Sequence, residues 1–132
     1  TLVGPKVLRI NKYSASDGDL FPWSFKANKI GKVIGTRTWG GIVGISGPLP
    51  YMDGTDVRVP FFTNYDAKTG QWIVENHGVD PDILIDNDPV KEQSGEDQQL
   101  NKAIEVILQE LKDRKPLPSV PAPRTYKDLG VE

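Results

Sequence analysis

The chain has 132 residues, of which 37% are hydrophobic and 26% are charged, a composition that suits one globular domain or part of a larger one. A formal net charge of -2, with 16 basic residues scattered singly, gives no electrostatic footprint for nucleic acid. There is no cysteine, which excludes disulfides and cysteine nucleophiles, and no apolar run approaches the ~20 residues of a membrane span.

The first elements predicted along the chain are a strand, a helix and a second strand. The apolar and β-branched run at 6–10 predicts a strand, which a cluster of Ser, Asp and Gly residues ends. Apolar residues at helical spacing predict a helix over about 19–28, with Pro22 in the first turn, where its missing N–H costs nothing. A strand is predicted at 32–38, and the glycines at 39–50 indicate positive φ angles or close backbone approach.

The middle of the chain predicts a hairpin and one more strand. Residues 55–65 and 71–78 have strand composition, and the polar link between them contains a glycine, as hairpin links commonly do. A short strand is predicted at 82–86. Together with the elements before them, these strands predict an α/β protein with a mixed sheet.

The last predicted helix covers 94–114. Its apolar residues recur at i, i+3, i+4, i+7, i+8 and i+11, which is typical of an amphipathic helix. Ser94, with Asp97 three residues later, resembles a capping box. Four prolines between positions 116 and 123 exclude helix and inner strand, so we expect 116–132 to form a tail, linker or arm. The apolar positions of the helix are Leu100, Ala103, Ile104, Ile107, Leu108 and Leu111.

The turn after the first strand contains two serines. A catalytic serine is often presented on a sharp strand-to-helix turn, where backbone N–H groups at the helix start face the developing oxyanion. Residues 14–18, Ser-Ala-Ser-Asp-Gly, have this outline, with Ser14 where the G-x-S-x-G pattern has its first glycine. Such clusters more often cap helices and form turns, so the local pattern by itself favours a cap.

Two acidic stretches lack the spacing of a calcium loop. Asp17 and Asp19 flank a glycine, but no further oxygen donors follow at alternating positions. The stretch 86–97 has Lys91 where such a loop needs glycine, and Pro89 interrupts the alternation. We therefore expect neither a metal ion nor a cofactor.

Three blocks occur in order along the chain. They are "NKYSASDGDLFP" at 11–22, "GKVIGTRTWGGIVGI" at 31–45 and "VENHGVDPDILIDNDP" at 74–89, and an "EDQQLNKAIEVI" helix follows. In this order they resemble the catalytic core of tricorn-type proteases, within the tail-specific, or C-terminal processing, serine peptidase family. The resemblance covers roughly 4–112. It implies the C-terminal part of a ClpP/crotonase-like catalytic domain at 1–115, with the upstream half missing.

The resemblance also implies roles for individual residues. Ser16, directly before Asp-Gly-Asp, corresponds to the nucleophile, and the backbone N–H of Asp17 to an oxyanion-hole donor. Glu75, in the E-N-x-G-V-x-P-D block, corresponds to the glutamate that tunes a histidine base. That histidine lies upstream of the nucleophile in the family, in a segment that this chain does not contain. His77 is near Glu75, and in an extended strand both side chains would share a face.

The implied function is a serine peptidase that acts on peptides or proteins through an acyl-enzyme on Ser16. By itself the chain would be an incomplete, inactive fragment whose base comes from the upstream segment. The resemblance allows a PDZ-like module and a homo-oligomer, and it favours the cytoplasm, with the periplasm or secretion left open. Neither nucleic acid nor a membrane is expected as a partner. Two alternatives remain: a non-catalytic ligand- or peptide-binding module of the same fold, and an acyl-CoA enzyme of the crotonase type.

The aromatic residues near the nucleophile block have two readings. Trp23, Phe25 and Trp39 lie beside that block or the glycine-rich connection. We expect core packing for each of them, with a pocket wall as the alternative.

Overall fold

The computed structural model describes residues 3–45, 47 and 49–130. The elements in chain order are β1 (Val7–Ile10), α1 (Asp17–Ala27), β2 (Lys32–Gly35), β3 (Gly44–Ile45), β4 (Leu49–Pro50), β5 (Asp56–Val57), β6 (Pro60–Phe62), β7 (Ile83–Leu84), α2 (Pro89–Gln93) and α3 (Gln98–Lys112). A short 3-10 turn follows at Lys127–Leu129. The α/β class is therefore confirmed.

The centre of the fold is a three-stranded parallel sheet in the order β1-β2-β7. Parallel neighbours need a crossover connection, and α1 supplies it between β1 and β2. Val33 and Ile34 of β2 have 0% exposure although their side chains point to opposite faces of the sheet, so both faces are covered. Ile10 and Phe25 pack with Val33 in the core cluster beneath α1.

Antiparallel pairing occurs outside this sheet. Strand β3 pairs with β6, and β4 pairs with β5, each as a separate two-stranded sheet. In the described ranges, parallel and antiparallel strands thus do not join in the single mixed sheet that we expected. The reason is that the long connection between β2 and β7 leaves the central sheet and forms its own antiparallel pairs. The chain then returns and places β7 parallel to β2.

The helix α1 begins two residues earlier than its apolar spacing predicted. It starts at Asp17, directly after Ser16, so that Pro22 lies inside the helix in the second turn. The expectation that Pro22 occupies the first turn is therefore wrong. A proline at this position cannot donate to the carbonyl four residues earlier, so the helix loses one hydrogen bond.

The predicted hairpin forms only at its closing end. Tyr65 and Trp72 make an antiparallel bridge, and the Asp66 N–H donates to the Gln71 carbonyl at 2.9 Å. The second predicted strand does not continue, because positive φ angles at 74 and 76 turn the chain. The strand composition of 71–78 was therefore misleading beyond its first residues.

The segment 89–112 contains two helices, although one was predicted. Asp88 caps α2 by accepting from the Val90 and Lys91 N–H groups, and this helix ends at Gln93, with Ser94 as its C-cap. Asp97 is the N-cap of α3, and its carboxylate accepts from the Leu100 N–H at 2.9 Å. The predicted capping role of Ser94 is wrong, because a left-handed glycine after it, with φ 93, separates the helices.

One row of apolar residues on α3 is not covered within the described ranges. Ala103 is 6% exposed and packs toward the sheet, and the Gln99 side chain donates to the Ile85 carbonyl at 2.9 Å. The row that remains open comprises Leu100, Ile104, Leu108 and Leu111, which are 42%, 47%, 56% and 43% exposed. The exposed segment 115–125 contains neither helix nor strand, and the domain division at 115 stays a prediction.

Candidate active site

Ser16 occupies a sharp turn between β1 and α1. Its backbone has φ 58 and ψ -113, a left-handed φ that non-glycine residues rarely adopt. The Ser16 N–H donates to Oδ2 of Asp19 at 3.0 Å and to the Gly41 carbonyl at 3.2 Å. These bonds fix the turn, and Ser16 is exposed at the N-terminus of the helix.

The next backbone N–H, that of Asp17, is an open donor. The Gly18 N–H donates to the Ala15 carbonyl at 2.8 Å, but in the described part of the chain the Asp17 N–H meets no acceptor. The first N–H groups of a helix have no intrahelical partner and attract negative charge. A hydrogen-bond donor is thus available next to the Ser16 side chain.

Glu75 lies in a tight turn between the Tyr65–Trp72 bridge and β7. The turn is held by two non-glycine residues with positive φ, Val74 at 65 and Asn76 at 62. Oε2 of the half-buried Glu75 accepts from the Ile42 N–H at 2.7 Å and from the Val43 N–H at 2.9 Å. Oε1 accepts no hydrogen bond from the described residues, so one oxygen remains available to another group.

One cavity of about 550 Å³ joins these features. Ser16, Asp17 and Glu75 all line it, although Glu75 follows Ser16 by 59 residues (75 − 16). Its volume falls within the range of roughly 300–1,000 Å³ that is usual for ligand sites. Its other walls are formed mainly by apolar groups, among them Leu20, Trp39, Ile42, Ile45, Pro60 and Phe62.

His77 is not among the residues that line the cavity. Its Nε2 lies 2.7 Å from Oδ2 of Asp80, and both side chains are about 60% exposed. Since this segment is a turn, His77 and Glu75 do not share the face that an extended strand would have given them. The structure therefore separates the histidine of this chain from the candidate site.

The three aromatic residues near the nucleophile block have different surroundings. Trp39 lines the cavity and is 66% exposed, so it is a pocket wall. Phe25 belongs to the core. Trp23 is half-buried beside a different depression and does not reach Ser16.

Asp19 is the functional-site neighbour whose wider role sequence reasoning missed. Its side chain has 0% exposure, and besides Ser16 it accepts from the Gly40 N–H at 2.8 Å and the Gly41 N–H at 3.2 Å. Its position three residues after Ser16 is a capping-box signal that could have indicated its contact with the Ser16 N–H. Nothing in the sequence indicated that Gly40 and Gly41 would meet the same carboxylate.

Shifted pKa values in the described ranges belong to carboxyl groups outside the cavity. Burial raises the pKa of Asp82, but hydrogen bonds from the Val33 N–H and Lys26 outweigh it, so the net pKa is lowered. The Leu100 N–H, and then Asn87, lower the pKa of Asp97. Thr55 and Thr125 do the same for the exposed Asp53 and Asp128, respectively.

Two further properties of the described ranges bear on function. They contain no group of three or more His, Cys, Asp or Glu side chains placed to hold a metal ion. No helix in them has both the length and the apolar character needed to cross a bilayer. A depression of about 360 Å³ elsewhere has no serine, threonine or histidine among its lining residues, and we assign no site to it; its charged walls are Lys26, Lys29, Lys32, Asp82 and Glu110.

The architecture and the cavity point to one class of protein. A serine on a strand-to-helix turn above a parallel sheet is the arrangement that many serine hydrolases share. The sequence profile of Peptidase family S41 matches residues 2–85, and the chain belongs to this family. The resemblance to tricorn-type and tail-specific peptidases is thereby confirmed.

Two relatives make the similarity more specific. The chain is 44% identical over 115 residues to the tricorn protease of Thermoplasma volcanium, a match that covers 87% of the chain and 11% of that protein. A crystal structure of the tricorn protease superposes with a TM-score of 0.75 at 44% identity, over 83% of this chain and 11% of the other.

A solved structure from another branch also matches. The photosystem II D1 C-terminal processing protease gives a TM-score of 0.50 at 28% identity, over 62% of this chain and 20% of the other. The chain spans about a ninth of the length of the curated relatives that it matches. What a complete protein of this family does is therefore a matter for proposal.

Proposed function

We propose that the protein containing this chain is a serine peptidase that cleaves peptide or protein substrates through an acyl-enzyme on Ser16. Membership of Peptidase family S41 supports the reaction class. The single observation that supports the site most directly is the meeting of Ser16, the open Asp17 N–H and Glu75 on one cavity.

In the proposed reaction, Ser16 Oγ attacks the carbonyl carbon of the scissile peptide bond. A base takes the hydroxyl proton, and the carbonyl oxygen becomes an oxyanion that accepts from the Asp17 N–H. When the tetrahedral intermediate collapses, the C–N bond breaks and the protonated base gives the proton to the leaving amine. Water then attacks the acyl-enzyme in the same way, which releases the acid and restores Ser16.

Glu75 has the role of orienting the base. Its Oε2 is held by the Ile42 and Val43 N–H groups, whereas Oε1 is free of described donors and suited to accept from an imidazole. The base itself is a histidine from a segment outside these 132 residues. The exposure of His77 and its pairing with Asp80 support this assignment, as does the small share of its relatives that the chain spans.

Further properties follow from the same proposal. The chain forms part of a ClpP/crotonase-like catalytic domain, with α3 as its amphipathic C-terminal helix and 116–132 as an arm. The parallel β1-β2-β7 sheet with its crossover helix supports this placement. A PDZ-like module, a homo-oligomeric state and inactivity of the isolated chain remain predictions of the resemblance.

Active-site labelling tests the nucleophile. In the full-length protein, a fluorophosphonate probe should phosphonylate Ser16 Oγ with loss of fluoride, and Ser16→Ala should abolish labelling because the attacking hydroxyl is gone. Peptide mapping by mass spectrometry measures the labelled position. Ser14→Ala is the matched control, since it removes the other hydroxyl of the same turn and should leave labelling intact.

Four outcomes would contradict the proposal. Labelling that persists in Ser16→Ala, or that maps to Ser14, would remove Ser16 as the nucleophile. Complete absence of labelling in the wild-type protein would favour the non-catalytic binding module. Stabilisation of the wild-type protein by coenzyme A esters in a thermal-shift assay would instead favour the acyl-CoA enzyme.

A further inference from the structure

Four consecutive backbone N–H groups, from Gly40 to Val43, all point at carboxylates. We call this segment, 40–43, the glycine loop. Its first two N–H groups donate to Asp19, at 2.8 Å to Oδ1 and 3.2 Å to Oδ2. Its last two donate to Oε2 of Glu75, at 2.7 and 2.9 Å. One short segment thus connects the carboxylate next to the nucleophile with the candidate orienting glutamate.

Successive N–H groups of this kind form anion-binding concavities. In the glycine loop the protein's own carboxylates occupy the donors, so these N–H groups are not available to a substrate oxyanion. The Asp17 N–H remains the open donor on the nucleophile side of the cavity. The loop therefore has a structural task, which is to hold two acidic side chains at a set separation.

The glycine loop and the Glu75 turn are also joined through their backbones. The Asn76 N–H donates to the Gly40 carbonyl at 2.8 Å. Gly40 has φ 89, and a Cβ there would lie 2.4 Å from the Gly78 nitrogen, so only glycine fits this approach. The glycine loop and the Glu75 turn are therefore held together by backbone contacts as well as by the Glu75 carboxylate.

Asp19 connects this unit to the nucleophile turn. Its carboxylate has 0% exposure and accepts from three backbone N–H groups, of Ser16, Gly40 and Gly41. A buried carboxylate is costly without such donors, and charge-assisted bonds of this type are stronger and more directional than neutral ones. Backbone hydrogen bonds also join the nucleophile turn to the glycine loop and to the residue before it. The Ser16 N–H donates to the Gly41 carbonyl at the longer distance of 3.2 Å, and the Trp39 N–H donates to the Ser14 carbonyl at 2.9 Å.

We infer that Asp19 is a positioning residue for the proposed acylation: through the glycine loop it sets the place of the Glu75 carboxylate relative to Ser16. This inference rests on the proposed peptidase function. Asp19 touches neither substrate nor the reacting atoms. It acts by holding the nucleophile turn and Glu75 in a fixed relative position, so that a base bound to Glu75 lies within hydrogen-bond distance of the Ser16 hydroxyl.

The test uses Asp19→Asn in the full-length protein. The amide has nearly the same shape, but its NH₂ group faces a backbone N–H that it cannot accept from. We expect the second-order rate constant for fluorophosphonate labelling to fall by about 10- to 100-fold, as a displacement of about 1 Å can cost up to 10²-fold. With a peptide substrate, kcat should fall by a similar factor while KM changes by less than about threefold.

The labelled fraction, measured together with the rate constant, distinguishes a positioning role of Asp19 from a role in folding only. A positioning role lowers the rate constant while nearly all molecules are eventually labelled. A purely structural role lowers the labelled fraction in step with the folded fraction and leaves the rate constant of the folded molecules unchanged; that result would overturn the inference. Asp86→Asn is the matched control, because this exposed carboxylate has no hydrogen bond within the described ranges and should retain the wild-type rate.

A second variant covers the case in which Asp19→Asn does not fold. Asp19→Ser removes both carboxylate oxygens, and its single hydroxyl, which can rotate to accept a hydrogen bond, cannot replace a carboxylate that accepts from the Ser16, Gly40 and Gly41 N–H groups. This variant should show the same fall in the rate constant for labelling. A wild-type rate constant in either folded variant would overturn the inference about Asp19 but not the proposed peptidase function. A wild-type protein that is not labelled at Ser16 would instead overturn the proposed function and, with it, the inference.

Discussion

At Ser16 the backbone conformation conflicts with the side chain that the site requires. A φ of 58 with ψ -113 is a conformation that glycine adopts more easily than serine. Residues held in such regions cost about 1–3 kcal/mol each and persist where the surrounding contacts enforce them. Here the bonds from the Ser16 N–H to Asp19 and Gly41 enforce the turn, and the proposed nucleophile explains why a side chain is present.

Glycine at this position should therefore stabilise the turn relative to alanine. We expect Ser16→Gly to be more stable than Ser16→Ala by about 1 kcal/mol, because alanine retains the strained Cβ and glycine does not. Thermal unfolding of the two full-length variants measures the difference, and both should be unreactive toward the fluorophosphonate. An alanine variant as stable as the glycine variant would show that the turn carries no strain.

We expect that His77 does not act as the general base. Since its ring pairs with Asp80 at the surface and does not line the cavity, His77→Ala in the full-length protein should retain the wild-type rate of fluorophosphonate labelling. Rate constants for fluorophosphonate labelling of both proteins provide the measurement. A loss of 10²-fold or more, the usual effect of removing a general base, would identify His77 as the base.

Among the elements, α3 depends on a carboxylate at its N-terminus. Asp97 caps the helix through the Leu100 N–H, accepts from Asn87 and pairs with Arg9 of β1 at 2.7 Å. It therefore fastens the helix both to its own first turn and to the central sheet. The same contacts, with the Leu100 N–H first, lower the pKa of Asp97 below its ordinary value of 3.8.

The lowered pKa fixes the sign of the pH dependence. Because the folded state favours the charged carboxylate, Asp97 contributes stability above the ordinary pKa and loses it as the pH falls through the folded pKa. We expect Asp97→Ala to destabilise the fold by about 1 kcal/mol at pH 7, as the loss of an N-cap does. This difference from wild type should narrow as the pH falls below 3.8.

Thermal unfolding followed by circular dichroism at pH 7 and at acid pH measures this difference. The control is Asp86→Ala, which removes an exposed carboxylate without a partner in the described ranges and should change stability little at either pH. A difference for Asp97→Ala that stays constant down to the lowest pH would contradict a role for the ionised group.

For the whole molecule, the balance of covered and uncovered apolar surface is the main feature. The core is small, and its most completely buried strand is β2. Meanwhile the α3 row and the aromatic side chains near β6 are largely exposed; these aromatic residues are Phe61, Phe62, Tyr65 and Trp72. Because the chain spans about a ninth of its curated relatives, we expect the remainder of the protein to contribute to both the fold and the site.

This expectation predicts a large difference between the isolated chain and the full-length protein. If the general base lies outside the 132 residues, the isolated chain should react with a fluorophosphonate at least about 10²-fold more slowly than the full-length protein does. Fluorophosphonate rate constants for both proteins test this. Circular dichroism must show that the isolated chain is folded, and a folded chain that reacts at the full-length rate would place the base within these residues.

Local signals in the sequence predicted a substantial part of this protein. The β-branched run before the Ser-Asp-Gly cluster predicted β1, the glycines at 39–50 predicted close backbone approach, and three ordered blocks indicated the family that the comparisons then confirmed. The apolar period predicted α3, although the predicted start at 94 was too early, and it did not predict the short helix α2 before it. These signals depend on near neighbours along the chain, so a single sequence suffices to read them.

Only the tertiary structure decided where the polar groups meet. Glu75 reaches the cavity of Ser16 because the chain returns from its excursion to set β7 beside β2, and His77 turns outward because positive φ angles replace the predicted strand. The sequence does not determine whether the four N–H groups of the glycine loop face water, a substrate or side chains. Their attachment to Asp19 and Glu75 depends on contacts between segments that are more than 20 residues apart, which no local pattern encodes.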